Sequence, residues 1–243
     1  MSNPGKSIEI NLTRLSQLGI VTHDGGRTPV AEDFRIIKRP LLRNARGEGP
    51  AAIQHGNLII VTSALPGEGK TYCAVNLAMS IAMEHDITVL LVDADVARPS
   101  VLKLLGLNPE PGLMDVLLNE QLGLPDVILK TNVATLSILP AGRANKNATE
   151  LLASRSMSRL LTEIAERYPD RIVIFDSPPL LITSEASVLA AQMGQIVMVV
   201  EAEKTTQNAV RDALRHIEQC PHINLIYNKT KEFPSGEYYG YYD

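Results

Sequence analysis

Short, nearly continuous apolar runs rich in β-branched residues recur at 58–62, 87–92, 171–175, 195–201 and 223–227, with a weaker run at 134–139. Runs of this length that do not alternate with polar residues read as strands buried on both faces. Between them the apolar spacing becomes helical. In 154–167, Met157, Leu160, Leu161 and Ile164 fall at i, i+3, i+4 and i+7; in 204–219, Val210, Ala213, Leu214 and Ile217 repeat that spacing behind Thr205 or Thr206 as N-cap. Strands alternating with helices predict an α/β fold, a mainly parallel central sheet with helices on both faces. Such sheets bind ligands beyond the carboxyl ends of their strands.

The flanks follow a different pattern. Residues 1–29 are polar, with Gly25, Gly26 and Pro29 as breakers, and are expected to be a flexible N-terminus. Phe34, Ile37 and Leu41 at helical spacing predict a helix over 30–39, which Pro40 should end. Residues 43–57 hold three glycines and Pro50 and read as a linker, so 30–57 is a helix and linker ahead of a domain at 58–228. Residues 229–243 form a tail.

Composition narrows the class. The chain has 243 residues, 45% hydrophobic and 21% charged, enough to bury a core without disulfides or metal staples. Two cysteines, Cys73 and Cys220, suit reduced thiols and a cytoplasmic setting. A formal charge of −4 gives no support to nucleic-acid binding. No apolar run approaches the roughly twenty residues of a spanning helix, and no signal peptide is visible. Aromatics total only 4%, yet Tyr238, Tyr239, Tyr241 and Tyr242 crowd the last six residues. A core would not concentrate them there.

Three motifs carry chemistry. After the strand at 58–62 comes Ser63-Ala64-Leu65-Pro66-Gly67-Glu68-Gly69-Lys70-Thr71, a Walker A phosphate loop with Ala64 in place of its first glycine. Its glycines let backbone N–H groups turn inward, Lys70 supplies charge for β/γ-phosphates, and Thr71 offers a hydroxyl to Mg²⁺. The helix that follows aims its N-terminus at the anion. The second motif, Val89-Leu90-Leu91-Val92-Asp93-Ala94-Asp95, brings two carboxylates to a buried strand's carboxyl end, where Mg²⁺ or proton acceptance would account for them. For Asp95, capping of the next helix is the plainer alternative. The third, Arg171-Ile172-Val173-Ile174-Phe175-Asp176-Ser177-Pro178-Pro179, is a Walker B strand whose Asp176 helps to hold Mg²⁺.

These motifs, with the terminal tyrosines, resemble the bacterial tyrosine kinases, cytoplasmic autokinases of exopolysaccharide and capsule assembly. Asp93-Ala-Asp-Val-Ala-Arg-Pro-Ser100 and Leu139-Pro-Ala-Gly142 are most similar to the exosortase-associated type. The resemblance covers about residues 30–243. It implies a P-loop fold, ATP and Mg²⁺ as cofactors, and transfer of the γ-phosphoryl group to tyrosines in a neighbouring subunit's tail. Pro66 to Tyr72 would bind nucleotide, and Asn228 resembles the base-contacting asparagine, although a strand-end turn residue is the alternative. Lys70, Asp93, Asp95 and Asp176 would be catalytic; Thr71, Asp93 and Asp176 would hold the metal. Glu32, Arg35 and Lys38 resemble an oligomer-interface motif, with Lys38 where arginine is usual; Ala97, followed by Arg98, departs from the second motif. A ring-like homo-oligomer, a membrane polysaccharide co-polymerase as activator, an opposing tyrosine phosphatase and recruitment to the inner membrane are also implied.

Two other readings compete. A cell-division or partition-type ATPase switch would carry a second lysine early in the P-loop, where this chain has Leu65. A non-catalytic ATP-binding subunit would not need Lys70, Thr71, Asp93 and Asp176 together. The basic stretch Arg35, Lys38, Arg39, Arg43 and Arg46 fits a solvated face, a subunit contact or an anionic membrane surface.

Overall fold

The apolar runs pair into one sheet because each hides both faces from water. The structure, a computed structural model, describes residues 6–48, 53–167 and 170–231. Its elements in chain order are β1 (Ser7–Ile8), α1 (Leu12–Gln17), α2 (Pro29–Ala45), β2 (Leu58–Ser63), α3 (Lys70–Ala82), β3 (Thr88–Asp93), α4 (Val101–Leu105) and α5 (Leu113–Leu118). There follow α6 (Leu124–Val127), β4 (Leu129–Thr131), β5 (Leu136–Leu139), α7 (Ala148–Leu152), α8 (Arg155–Arg167), β6 (Arg171–Asp176), α9 (Ser184–Ala190), β7 (Gln195–Glu201), α10 (Gln207–Arg215) and β8 (Ile223–Asn228). The strands lie in the order β1-β4-β5-β3-β6-β2-β7-β8. Every neighbouring pair is parallel except β4 with β5.

The core divides into two layers. On β2, Ile59 and Val61 face one layer with Leu15, Phe34, Leu41, Leu77 and Leu105 from the first four helices. Leu58 and Ile60 face the other, with Leu113, Leu152, Leu161, Leu189 and Ala213 from α5 to α10. Helices therefore cover both faces, as the pattern predicts. The helix expected over 204–219 is confined to α10, and Thr206 rather than Thr205 is its N-cap, accepting from the Ala209 N–H at 3.2 Å. Among the described residues, no helix is long and apolar enough to cross a membrane.

Three expectations about the flanks need correction. Residues 6–28 are packed rather than loose: β1 pairs with β4, and Ile10, Leu15, Ile20 and Val21 are buried. Polar side chains replace a longer ladder here. Asn132 exchanges two hydrogen bonds with the Ile10 backbone, Asn76 accepts from the Val21 N–H, and the Tyr72 hydroxyl donates to the Gly19 carbonyl at 2.6 Å. Second, α2 runs through Pro40 to Ala45. An interior proline removes one helical hydrogen bond, but the affected turn, with Ile36 at 69% exposure and Pro40, lies on the wet side. Leu41 and Leu42 are buried by continuing the helix, and Gln195 donates to the Leu41 carbonyl at 3.0 Å. Third, the start of the expected linker at 43–57 is therefore helix.

The basic stretch along α2 divides as well. Arg35 pairs with Glu32 on the helix surface, and Arg39 lies 3.7 Å from Glu84. Lys38 turns inward instead: its ammonium donates to the Ser80 carbonyl at 2.6 Å and pairs with Glu84 at 2.8 Å. That hydrogen bond to Lys38 is the main reason the Glu84 carboxyl sits below its ordinary pKa. A side chain held against the last turn of α3 is not presented to another subunit, which corrects its assignment to an interface.

Candidate active site

The phosphate loop lies where β2 gives way to α3. Gly67 and Gly69 take φ of +84° and +98°, the left-handed region open to glycine. At Gly69 a Cβ would also lie 2.1 Å from Asn228 Nδ2, so only glycine fits. Gly69 is the N-cap of α3 and gives it no side-chain cap, leaving the helix's first N–H groups for an anion.

The loop is braced from outside. Asn228, at the end of β8, donates to the Glu68 carbonyl at 2.8 Å, and Lys229 donates to the Gly67 carbonyl at 2.7 Å. Glu68 itself is buried: its carboxylate accepts from the Leu65 N–H at 2.6 Å and from the Thr205 hydroxyl. These contacts fix the carbonyls of the loop. Glu68 thus shapes the cradle through its side chain, whereas the Tyr72 hydroxyl is committed to Gly19 and leaves only backbone near the loop. Lys229 was missed by sequence reasoning; its position directly after Asn228 was the available signal.

Three carboxylates converge beside the loop. In the ladder, Asp93 at the end of β3 stands opposite Asp176 at the end of β6, and β6 also pairs with β2. Adjacent strands lie about 4.8 Å apart, so the two carboxylates are neighbours. Asp93 Oδ2 accepts from the Ser100 and Val101 N–H groups, both at 2.9 Å, and so serves the start of α4. Asp95 Oδ1 accepts from the Arg98 N–H at 3.1 Å, and its Oδ2 is 3.1 Å from Lys70 Nζ. The capping alternative weighed for Asp95 thus falls to Asp93. Thr71 shares a 2.9 Å hydrogen bond with Ser100.

Two of these acids are held in an expensive state. Asp93 Oδ1 and both oxygens of Asp176 are buried with no hydrogen-bond partner among the described residues. Burial raises the Asp176 pKa to about 7; Lys70 opposes the rise and Asp93 reinforces it. Burial likewise raises Asp93 to about 6, against the pull of the Val101 and Ser100 N–H groups. Orphaned hard oxygen donors next to a hydroxyl are the donor set that Mg²⁺ prefers. The residues fit such an ion.

A P-loop cradle, an uncapped helix start and paired strand-end carboxylates define a nucleotide-binding α/β domain. The AAA domain family matches residues 56–229. The chain is 34% identical to tyrosine-protein kinase YwqD of Bacillus subtilis over 76% of either chain. It is also 34% identical to succinoglycan biosynthesis transport protein ExoP of Rhizobium meliloti, over 93% of this chain and 28% of that protein. The kinase domain of the Escherichia coli tyrosine kinase ETK superposes with a TM-score of 0.73 at 27% identity, covering 91% of this chain and 84% of that one. The chain belongs to the bacterial tyrosine kinase family. It spans about a third or less of several longer curated relatives. The tyrosines at 238, 239, 241 and 242 lie outside the described residues.

Proposed function

We propose that the protein is an ATP-dependent tyrosine autokinase that transfers the γ-phosphoryl group of Mg-ATP to Tyr238, Tyr239, Tyr241 and Tyr242 of a neighbouring subunit. The observation that carries this reading is the set of partnerless oxygens on Asp93 and Asp176 beside the P-loop. Leaving ionised carboxylates buried and unpaired is costly, and a divalent cation removes that cost.

The residues divide the work. The start of α3 and the loop N–H groups receive the phosphates. Lys70 exchanges Asp95 for a phosphate oxygen, which places its charge where negative charge grows in the transition state. Asp176, Asp93 and the Thr71 hydroxyl would hold Mg²⁺, whose chemistry is to neutralise the phosphates. A tyrosine hydroxyl has a pKa of about 10, so transfer needs a carboxylate to take its proton. Asp93 and Asp95 share that role. Asn228, which braces the Glu68 carbonyl from the end of β8, would also meet the base.

The relatives support a setting for this activity. ExoP is described as a transport protein of succinoglycan synthesis, which supports a role in exopolysaccharide polymerisation or export. Self-association, a membrane co-polymerase as activator, an opposing phosphatase and peripheral recruitment to the inner membrane from the cytoplasm belong to the same reading. The partition-type switch is disfavoured by Leu65, whose apolar side chain has no charge to reach another subunit's phosphates. Incubation of the purified chain with γ-labelled ATP and Mg²⁺, followed by phosphotyrosine mapping, tests the reading. Label confined to released phosphate would refute it.

A further inference from the structure

Beyond Asp93, on the side away from the P-loop, the carboxyl ends of β3 and β5 open into a cavity of about 450 Å³. Pro99, Leu102, Leu107, Pro109 and Pro140 give it apolar walls, and Asp93 forms part of the lining. We propose that this cavity is the acceptor subsite, which receives the ring of the tyrosine and delivers its hydroxyl to the Asp93 end. The inference rests on the kinase reading and adds to it a specificity-determining pocket.

Strand order is the first argument. Along the carboxyl edge of the sheet come Asn228 on β8, then β7, the P-loop after β2, Asp176 on β6, Asp93 on β3, and the cavity at β3 and β5. A nucleotide with its phosphates in the loop and its base toward Asn228 points its terminal phosphate at the carboxylates. An in-line nucleophile must arrive from the far side, which is where the cavity lies.

Chemistry is the second. Asp93 is only 1% exposed, so a hydroxyl must travel inward past apolar walls to reach it. Serine and threonine carry theirs too close to the backbone, whereas tyrosine carries it at the end of a rigid apolar ring. Transfer then balances simply. The phenol oxygen bonds to the γ-phosphorus, the bond from that phosphorus to the β–γ bridging oxygen breaks, ADP leaves, and the phenol proton passes to a carboxylate of the Asp93–Asp95 pair.

The wall is also rigid. Gly142 takes φ +82°, and a Cβ there would lie 2.4 Å from Asp115 Oδ2. Asp115 accepts from the Gly112 and Arg143 N–H groups, while the Leu113 and Met114 N–H groups donate to the Pro140 and Ala141 carbonyls. Leu139-Pro-Ala-Gly142 is thereby stapled to the start of α5. At the rim, Glu110 pairs with Lys6 at 2.5 Å, and Lys103 makes no ion pair among the described residues. A free cation at the mouth favours acidic flanks such as Glu237 and Asp243 beside the tail tyrosines.

The test uses the octapeptide of residues 236–243, and its form with phenylalanine at every tyrosine, added to the full chain with a non-hydrolysable or labelled ATP. Leu107→Trp fills the cavity, and Lys103→Glu reverses the rim charge on an exposed side chain that can be changed without touching the core. For Leu107→Trp the expectation is a fall of at least about tenfold in kcat/KM for the peptide, with nucleotide affinity unchanged and inhibition by the phenylalanine peptide lost. For Lys103→Glu the expectation is a KM raised about fivefold, reversed by a peptide with lysine flanks. Wild-type transfer rates in both variants, with nucleotide bound normally, would overturn the pocket. Peptide that binds the wild type and is blocked by Leu107→Trp, yet never gains phosphotyrosine, would support the pocket and sink the kinase reading. No binding of either peptide to the wild type would overturn the pocket.

Discussion

Asp176→Asn keeps the shape of a fully buried side chain and removes its charge. In the folded chain the carboxyl titrates at about 7 against an ordinary 3.8, chiefly because it is buried. That difference of about three pH units corresponds to roughly 4 kcal/mol. The sign follows from which state holds the proton. Below the ordinary carboxylate pKa both states are protonated and Asp176 contributes nothing. As pH rises toward 7 the unfolded chain has released its proton while the folded chain retains it, so stability falls; above 7 the full penalty stands. Asparagine escapes the penalty but leaves an amide as poorly partnered as the acid. The net gain expected for Asp176→Asn is therefore about 2–4 kcal/mol near pH 8 and under about 1 kcal/mol near pH 4. Urea unfolding with EDTA present and nucleotide absent measures both. Added Mg²⁺ at about a hundred times its dissociation constant should return roughly 2.7 kcal/mol to the wild type and little to the variant. A variant no more stable than wild type near pH 8, or equally stabilised at both pH values, would refute the argument that Asp176 is held against its electrostatic interest.

Three further outcomes follow from single contacts. Lys70→Met should lower phosphotyrosine formation by roughly a thousandfold or more and leave a folded chain, as circular dichroism and labelling would show. Asn228→Ala frees the Glu68 carbonyl, and titration with a fluorescent ATP analogue should read a loss of about two- to tenfold in affinity. Lys38→Met strips partners from Glu84 and the Ser80 carbonyl, so calorimetry should show a loss of about 1–3 kcal/mol while light scattering shows the association state unchanged.

The strands and the three motifs were legible because the features that create them are local. A buried parallel strand has to be a continuous apolar run, and β2, β3, β6, β7 and β8 each register as one. Asp93 and Asp176 were legible for the same reason, since a carboxylate ending such a run has no ordinary explanation. The packing of 6–28 was hidden because it depends on partners far along the chain: Asn132 for Ile10, and Asn76 and Tyr72 for the turn at 19–21. Pro40 misled because its local rule is sound but yields to the burial of Leu41 and Leu42. Lys38 misled because a family pattern fixes a residue's place on a helix and not the face against which that helix packs. Glu68 was read as a nucleotide contact from its place in the loop, although its carboxylate belongs to Leu65 and Thr205.

The same topology bears on whether a molecule modifies itself. From β8 to the acceptor cavity at β3 and β5 is four to five strand steps, roughly 19–24 Å at about 4.8 Å each. Tyr238 lies seven residues beyond Lys231, a reach of at most about 25 Å when fully extended. That straight path runs over the P-loop and the carboxylates, the space the nucleotide needs. Tyr241 and Tyr242, ten and eleven residues beyond Lys231, have slack of about 12 and 16 Å over the longer path and are the positions with room to detour. Reaction within one molecule would therefore favour Tyr241 and Tyr242 and proceed at a rate per molecule independent of protein concentration. A neighbour's tail meets neither restriction, since it approaches the cavity from solvent. The expectation is that all four tyrosines gain label and that the initial rate per molecule rises in proportion to concentration while the protein is mainly monomeric. Mass spectrometry of the tail across a hundredfold dilution series decides between them, and a concentration-independent rate with label confined to Tyr241 and Tyr242 would overturn transfer between subunits.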